Sequence, residues 1–219
     1  MKNKLISLEE AVARIPDGAS LLIGGFMAVG GPNRLVDELI RQGKRDLTII
    51  ANDTARPNNG LGKLVVEKLV RRVVTSHIGL NPETQKQMIA GDIEVELVPQ
   101  GTLAERIRAG GVGLGGVLTP TGVGTTVEEG KRKVEIDGVT YLLEMPIKAD
   151  FALVAAKQAD LYGNLTYALT ARNFNPLMAM AGATVIAEAE DILPVGCIPP
   201  DAVMTPSVLV DHIVTSKPR

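Results

Sequence analysis

The 219-residue sequence holds one cysteine, no tryptophan, three tyrosines and three phenylalanines. A lone Cys197 cannot close an internal disulfide, and it has no ligand spacing to His77 or His212, so no metal site is expected. Absence of disulfides fits a reducing, cytoplasmic compartment. Aromatic residues at 3% leave little for base stacking, and a net charge of −2 with scattered Lys and Arg provides no basic stripe, which argues against nucleic acid. No apolar run approaches the ~20 residues of a membrane span, and the opening MKNKLISLEEAVARI turns acidic without the long apolar centre of a signal peptide. The expectation is a soluble protein with no membrane partner, folded as one domain over residues 1–219, long enough to bury a core without a disulfide or metal staple.

What the chain does have is glycine, 23 in all, placed between short apolar runs. Residues 20–23 and 47–51 read as strands covered on both faces. Between them, residues 33–42 set Leu35, Val36, Leu39 and Ile40 on one helical face, with Asn33 as N-cap and Gly43 as the stop. The alternation continues with helix over 64–69, strand over 72–76, a helix opened by Asn81-Pro82-Glu83, strand over 93–98 and helix over 102–109. Asp137-Gly138 between residues 133–136 and 139–142 predicts a two-residue hairpin. Residues 150–156 and 183–187 return to buried-strand composition, with a short helix over 175–181 between them. The fold class is therefore α/β: an open, mostly parallel sheet flanked by helices, with an added hairpin.

In such a sheet, loops leaving the carboxyl ends of the strands form the ligand crevice. Residues 24–31, GGFMAVGG, make one of these loops and lead to the start of a helix, where backbone N–H groups are free to meet an anion or a polarised carbonyl. The loop is neither a P-loop nor a dinucleotide fingerprint, and on its own it fits a ligand-binding turn or a tight connection equally.

The stretch DGASLLIGGFMAVGGP over residues 17–32 resembles the first signature of the family I CoA-transferases, specifically their alpha subunit. The resemblance continues in order through IAND (50–53), GLG (60–62), VPQGTL (98–103), LTPTGVG (118–124) and ARNFN (171–175), and loosens after about Ala187. It implies the fold shared by CoA-transferases and sugar-phosphate isomerases. It also implies that Gly24, Gly25, Phe26, Met27, Ala28, Val29 and Gly30 form a CoA-binding segment, the glycines letting the main chain lie against the pantetheine arm or thioester and the side chains adding apolar contact. Asn52 and Gln100 then line the active site, Gln100 from a strand end, as oxyanion or orienting groups. Asp53 stands where some relatives carry a second Asn.

In this family the nucleophilic glutamate lies in the beta subunit's own motif, and no segment here resembles that motif. The resemblance thus implies half an enzyme: an alpha subunit of acetate or acetoacetate type that works with a beta subunit in a hetero-oligomer such as α2β2. Coenzyme A and acyl-CoA are substrates, and no cofactor is permanently bound. The alternatives are a succinyl-CoA:3-oxoacid transferase subunit, a stand-alone acyl-CoA binding module, and a sugar-phosphate isomerase, which the GGFxxxGxP pattern argues against. Residues 110–124, with seven glycines, read as a mobile lid or a loop packed on a partner. Arg172, near Asn173 and Asn175, reads either as a partner for a carboxylate or a CoA phosphate or as part of a capping cluster at a helix start, Cys197 as an inert buried thiol, and His77 as a hydrogen-bonded structural histidine.

Overall fold

The structure is a computed structural model and describes residues 3–217; Met1 and Lys2, part of the segment read above against a signal peptide, lie outside them. Among the described residues six α-helices are defined: α1 (Leu8–Ala13), α2 (Asn33–Arg41), α3 (Gly62–Val66), α4 (Pro82–Ala90), α5 (Gln100–Val112) and α6 (Asn175–Ala181). They alternate with strands β1 (Ser20–Ile23), β2 (Leu47–Asp53), β3 (Val70–His77), β4 (Glu94–Leu97), β5 (Val117–Thr119), β6 (Lys133–Ile136), β7 (Val139–Glu144), β8 (Ala149–Asp160), β9 (Leu165–Thr166), β10 (Gly182–Leu193) and β11 (His212–Thr215). The main sheet runs β11-β10-β8-β1-β2-β3-β4 with every one of these pairings parallel, and β9 adds antiparallel to β8.

The period-2 alternation of the strands divides the core between two faces. Leu22, Ile50, Val74, Ala152 and Val154 point to one side, where Leu103 and Ile107 of α5 and Met178 of α6 meet them. Leu21, Ile23, Ile49 and Leu153 point to the other, onto Val12 of α1, Leu35 and Leu39 of α2 and Leu64 of α3. From β1 the chain steps outward through β2, β3 and β4, whereas β8, β10 and β11 step outward the opposite way. The order therefore reverses between β1 and β8, and a crevice opens at their carboxyl ends.

Among the stretches that differ from the sequence expectation, two adjoin: residues 110–124 and the hairpin after them. Residues 110–124 are not one long loop: α5 continues to Val112 and β5 follows. Glycine is needed because the helix packs close, since a Cβ at Gly110 would stand 2.0 Å from the Ile147 carbonyl oxygen and one at Gly111 would stand 2.5 Å from Met180 Cβ. β5 then pairs with β7, which pairs with β6 across the expected Asp137-Gly138 turn, so the hairpin is two-thirds of a small antiparallel sheet. Asp137 and Gly138 have φ of 50° and 76°, as a type I′ turn requires.

Candidate active site

The glycine loop leaving β1 is itself a miniature hairpin. Phe26 N–H donates to the Val29 carbonyl at 3.0 Å and Val29 N–H returns the bond at 2.9 Å. The two turn residues, Met27 and Ala28, have φ of 50° and 69°. A type I′ turn built without glycine costs about 1 kcal/mol or more per left-handed residue, and such strain persists only where surroundings enforce it. The ARNFN segment ahead of α6 does the enforcing. Asn173 Oδ1 accepts from Gly25 N–H at 3.1 Å while its Nδ2 donates to the Val29 carbonyl at 2.9 Å. Asn175 Nδ2 donates to the carbonyls of Gly30 and Ala171, each at 2.9 Å, and its Oδ1 accepts from Ala155 N–H of β8 at 2.9 Å.

These clamps explain glycines that sequence reasoning linked to a ligand. A Cβ at Gly24 would stand 1.8 Å from Asn175 Oδ1, and one at Gly30 would stand 2.3 Å from the Ala171 carbonyl oxygen. Gly25 has φ of 122° and would place a Cβ 3.3 Å from Gly31 Cα. At these positions the close neighbour is the chain itself. The surface left for a ligand is the apolar tip, with Phe26 43%, Met27 39% and Val29 52% exposed. These side chains line an open groove of about 580 Å³ together with Arg56, Asn59, Thr170 and Asn173. Exposed apolar side chains on a rigid loop suit the alkyl and amide stretches of an extended ligand.

Beside the hairpin, Asn52 and Gln100 come together as expected, though not as two free donors. Asn52, near the end of β2, is 2% exposed, and its Nδ2 donates to Asp53 Oδ2 at 2.8 Å. Its Oδ1 accepts from Gln100 Nε2 at 2.6 Å. Gln100 is the first residue of α5 rather than a strand end, because β4 stops at Leu97 and Val98-Pro99 turns the chain into the helix. Exposed Gln100 keeps a second N–H for the crevice. Asp53, 5% exposed, also accepts from Met27 N–H at 2.8 Å and from Ala55 N–H at 2.7 Å, which couples the hairpin tip to the amide pair.

The start of α2 is not the open anion site that the sequence suggested. Pro32 is the N-cap, Asn33 is the first helical residue, and no side chain of that turn caps the helix. Instead Glu188 of β10, 5% exposed, brings its carboxylate to Leu35 N–H at 2.9 Å. Burial pushes its pKa up, opposed by the N–H groups of Leu35 and Arg34. A carboxyl group of the chain itself already occupies that helix end, and a contact across 153 residues leaves no local sequence signal.

The remaining candidates are peripheral. Arg172 is exposed, next to two asparagines that serve the hairpin. His77 ends β3 exposed, level with Asp53. Cys197 is exposed rather than buried, because residues 194–197 form a tight surface turn closed by Cys197 N–H on the Pro194 carbonyl. Among the described residues no cluster of three His, Cys, Asp or Glu could hold a metal, and no helix is long and apolar enough to cross a membrane.

A strained, clamped hairpin at the sheet's reversal point, beside an amide pair from the end of β2 and the start of α5, coincides with the segments that carried the sequence resemblance. The family model described as Coenzyme A transferase matches residues 5–216, and the chain belongs to that family. Within the family it aligns end to end with alpha subunits. It is 53% identical to the acetate CoA-transferase subunit alpha of Escherichia coli K12 over 99% of both chains, and 49% identical to the acetoacetyl-CoA:acetate/butyrate CoA transferase alpha subunit of Clostridium acetobutylicum over 98% of both. Among solved structures it resembles the acyl-CoA transferase of Escherichia coli O157:H7 in a thioester complex with CoA (TM-score 0.87, 25% identity), covering 98% of this chain and 47% of that longer one. It also resembles the decarboxylase AibA/AibB, with a TM-score of 0.82 and 33% identity over 99% of this chain and 84% of that one.

Proposed function

We propose that the chain is the alpha subunit of a short-chain acyl-CoA:carboxylate CoA-transferase of acetate or acetoacetate type, a single domain over 1–219 acting in the cytoplasm with a beta subunit in a hetero-oligomer such as α2β2. The observation that carries this reading is that both buried carboxylates near the crevice, Asp53 and Glu188, are bound to backbone N–H groups of this chain. A carboxylate so engaged is a poor nucleophile, which leaves the attacking glutamate to the partner.

In this reading Phe26, Met27 and Val29 hold acyl-CoA, with Gly24, Gly25, Ala28 and Gly30 shaping the loop beneath them. A partner glutamate attacks the thioester carbonyl and CoA leaves as thiolate. The thiolate attacks the glutamyl carbonyl of the acyl anhydride, which releases the first acid and leaves a glutamyl-CoA thioester. The second acid takes CoA by the reverse of these steps and frees the glutamate. The free N–H of Gln100 stabilises the oxyanion, and Asn52 holds Gln100 in place. No resident cofactor takes part. Likeness to acetate and acetoacetate transferase subunits at about half identity supports the substrate class.

The purified chain is expected to show no CoA transfer with acyl-CoA and acceptor acid in excess, and mixing with the beta partner is expected to restore it. Borohydride reduction of the acyl-CoA-treated complex should mark a glutamate on the partner. Transfer by this chain alone, or a reduced glutamate within it, would overturn the reading; tight acyl-CoA binding with no activity from any partner would favour a binding module.

A further inference from the structure

We infer that Asp53 is a positioning residue whose carboxylate fixes the direction of the Asn52–Gln100 amide pair and pins the hairpin tip to it, an inference that rests on the proposed role of Gln100. The argument turns on donor and acceptor count. A primary amide carries both kinds of group and can point either way, so a chain of two amides has no direction of its own. An ionised carboxylate only accepts. Three donors converge on Asp53: Met27 N–H and Asn52 Nδ2 on Oδ2, and Ala55 N–H on Oδ1, all between 2.7 and 2.8 Å. With Asn52 Nδ2 held there, Asn52 Oδ1 must face Gln100, which answers with Nε2 at 2.6 Å. Ser76 Oγ fixes the main chain at this point by donating to the Asn52 backbone carbonyl at 2.6 Å, and it lies 3.4 Å from Oδ1. The position of Gln100's remaining N–H therefore follows from a residue that Gln100 does not touch.

Asp53 also explains how a turn with two left-handed non-glycine residues is kept, since it anchors Met27 N–H, where the chain enters the strained pair. An asparagine at 53 would offer one oxygen to three donors and set its own NH2 against one of them. Asn52 would then be free to flip, and Gln100 with it.

The test uses the assembled complex with the beta subunit, its size and melting temperature verified. Gln100→Ala should lower kcat about 100-fold, and Asp53→Asn about 10–100-fold. If Asp53 acts through the amide pair, the double variant should lose little more kcat than Gln100→Ala alone, far short of the product of the two losses. The KM for acyl-CoA should rise in Asp53→Asn but not in Gln100→Ala, because only the former frees the hairpin. Unchanged kcat in Asp53→Asn beside a large loss in Gln100→Ala, or losses that multiply, would overturn the role of Asp53. No loss from Gln100→Ala would instead remove Gln100 from the reaction, and the inference with it.

Asn52→Asp provides a second readout that does not depend on Asp53→Asn folding. A protonated Asp at 52 can donate its O–H to Asp53 and accept from Gln100, so it reproduces the relay; a doubly ionised pair cannot. Two adjacent buried carboxylates share a proton to well above the ordinary range. The variant's kcat should therefore fall as pH rises through that shared ionisation, relative to the wild type. His77 on β3 and Arg56 on the loop after β2 are present in both proteins, so the pH dependence that the variant adds belongs to the new carboxyl. The same pH profile in variant and wild type would overturn the directed relay.

Discussion

Burial holds the Glu188 carboxyl above its ordinary value although the N–H groups of Leu35 and Arg34 are directed at it. Asp150 shows the reverse balance: Ser20 Oγ and N–H both donate to its Oδ2, at 2.6 and 2.8 Å, and hold its pKa down. The two residues therefore affect stability in opposite ways. A raised folded pKa means that the favourable contribution is complete below the unfolded value, 4.5 for Glu188, and is lost as pH rises through the folded value. A lowered one, as at Asp150, means a contribution present at neutral pH and lost in acid. Glu188→Gln keeps an oxygen for Leu35 N–H and abolishes the titration. Melting curves at several values between about pH 4 and 8 should show the variant gaining on the wild type as pH rises, whatever constant offset the lost Arg34 contact adds. A difference independent of pH would mean that Glu188 titrates no differently in the folded chain.

At the scale of elements, the connection between β1 and α2 depends on the turn ahead of α6. Asn175→Ala would strip partners from the carbonyls of Gly30 and Ala171 and from Ala155 N–H, a cost of about 2–4 kcal/mol readable by denaturant titration. A loss below about 1 kcal/mol would show that water replaces the amide. Gly25→Val tests the same clamp rather than ligand space, because φ of 122° strains any side chain there. Local chemistry made much of this architecture readable from the sequence. Asn81 caps α4 through the N–H groups of Glu83 and Thr84, Asp137-Gly138 makes its turn, and α6 runs over the expected residues. The motifs likewise single out the glycine loop, Asn52 and Gln100 as candidates, and the structure links them through Asp53. Contacts between distant segments were not: nothing near Asn33 reveals that Glu188 caps its helix, and nothing near Gly24 reveals Asn175. The tiny strand β11 and helix α1 escaped for a related reason, since four to six residues carry too little periodicity and both are held by packing on larger elements.

Taken whole, the molecule is two sheets of unequal size joined at Glu144. This last residue of β7 is 2% exposed, with Oε1 2.6 Å from Lys131 Nζ and Oε2 3.9 Å from Arg106 Nε of α5. Arg106 in turn donates to the Met145 carbonyl and to Glu96 beside β3. Glu144→Ala leaves Lys131 without its carboxylate and Arg106 with Glu96 alone. Removing one partner of a fully buried pair costs about 3–5 kcal/mol; because Lys131 keeps some water, about 2–3 kcal/mol is expected in denaturant titration, with protease sensitivity appearing first in residues 117–145. Uniform loss of protection across the chain would mean that the small sheet has no stability of its own to lose. The reversal of strand order between β1 and β8 has a further consequence in time. Ser20 meets Asp150 across 130 residues, so one edge of β1 has no neighbour until most of the chain exists. At the ~5–20 residues per second of synthesis, that edge waits on the order of ten seconds, flanked by the apolar Leu21, Leu22 and Ile23, while β2 and β3 already emerge on its other side. A half-made chain therefore presents an open parallel edge where strangers can pair, and the ribosome's pace, as much as the finished packing, decides how many copies reach the folded state.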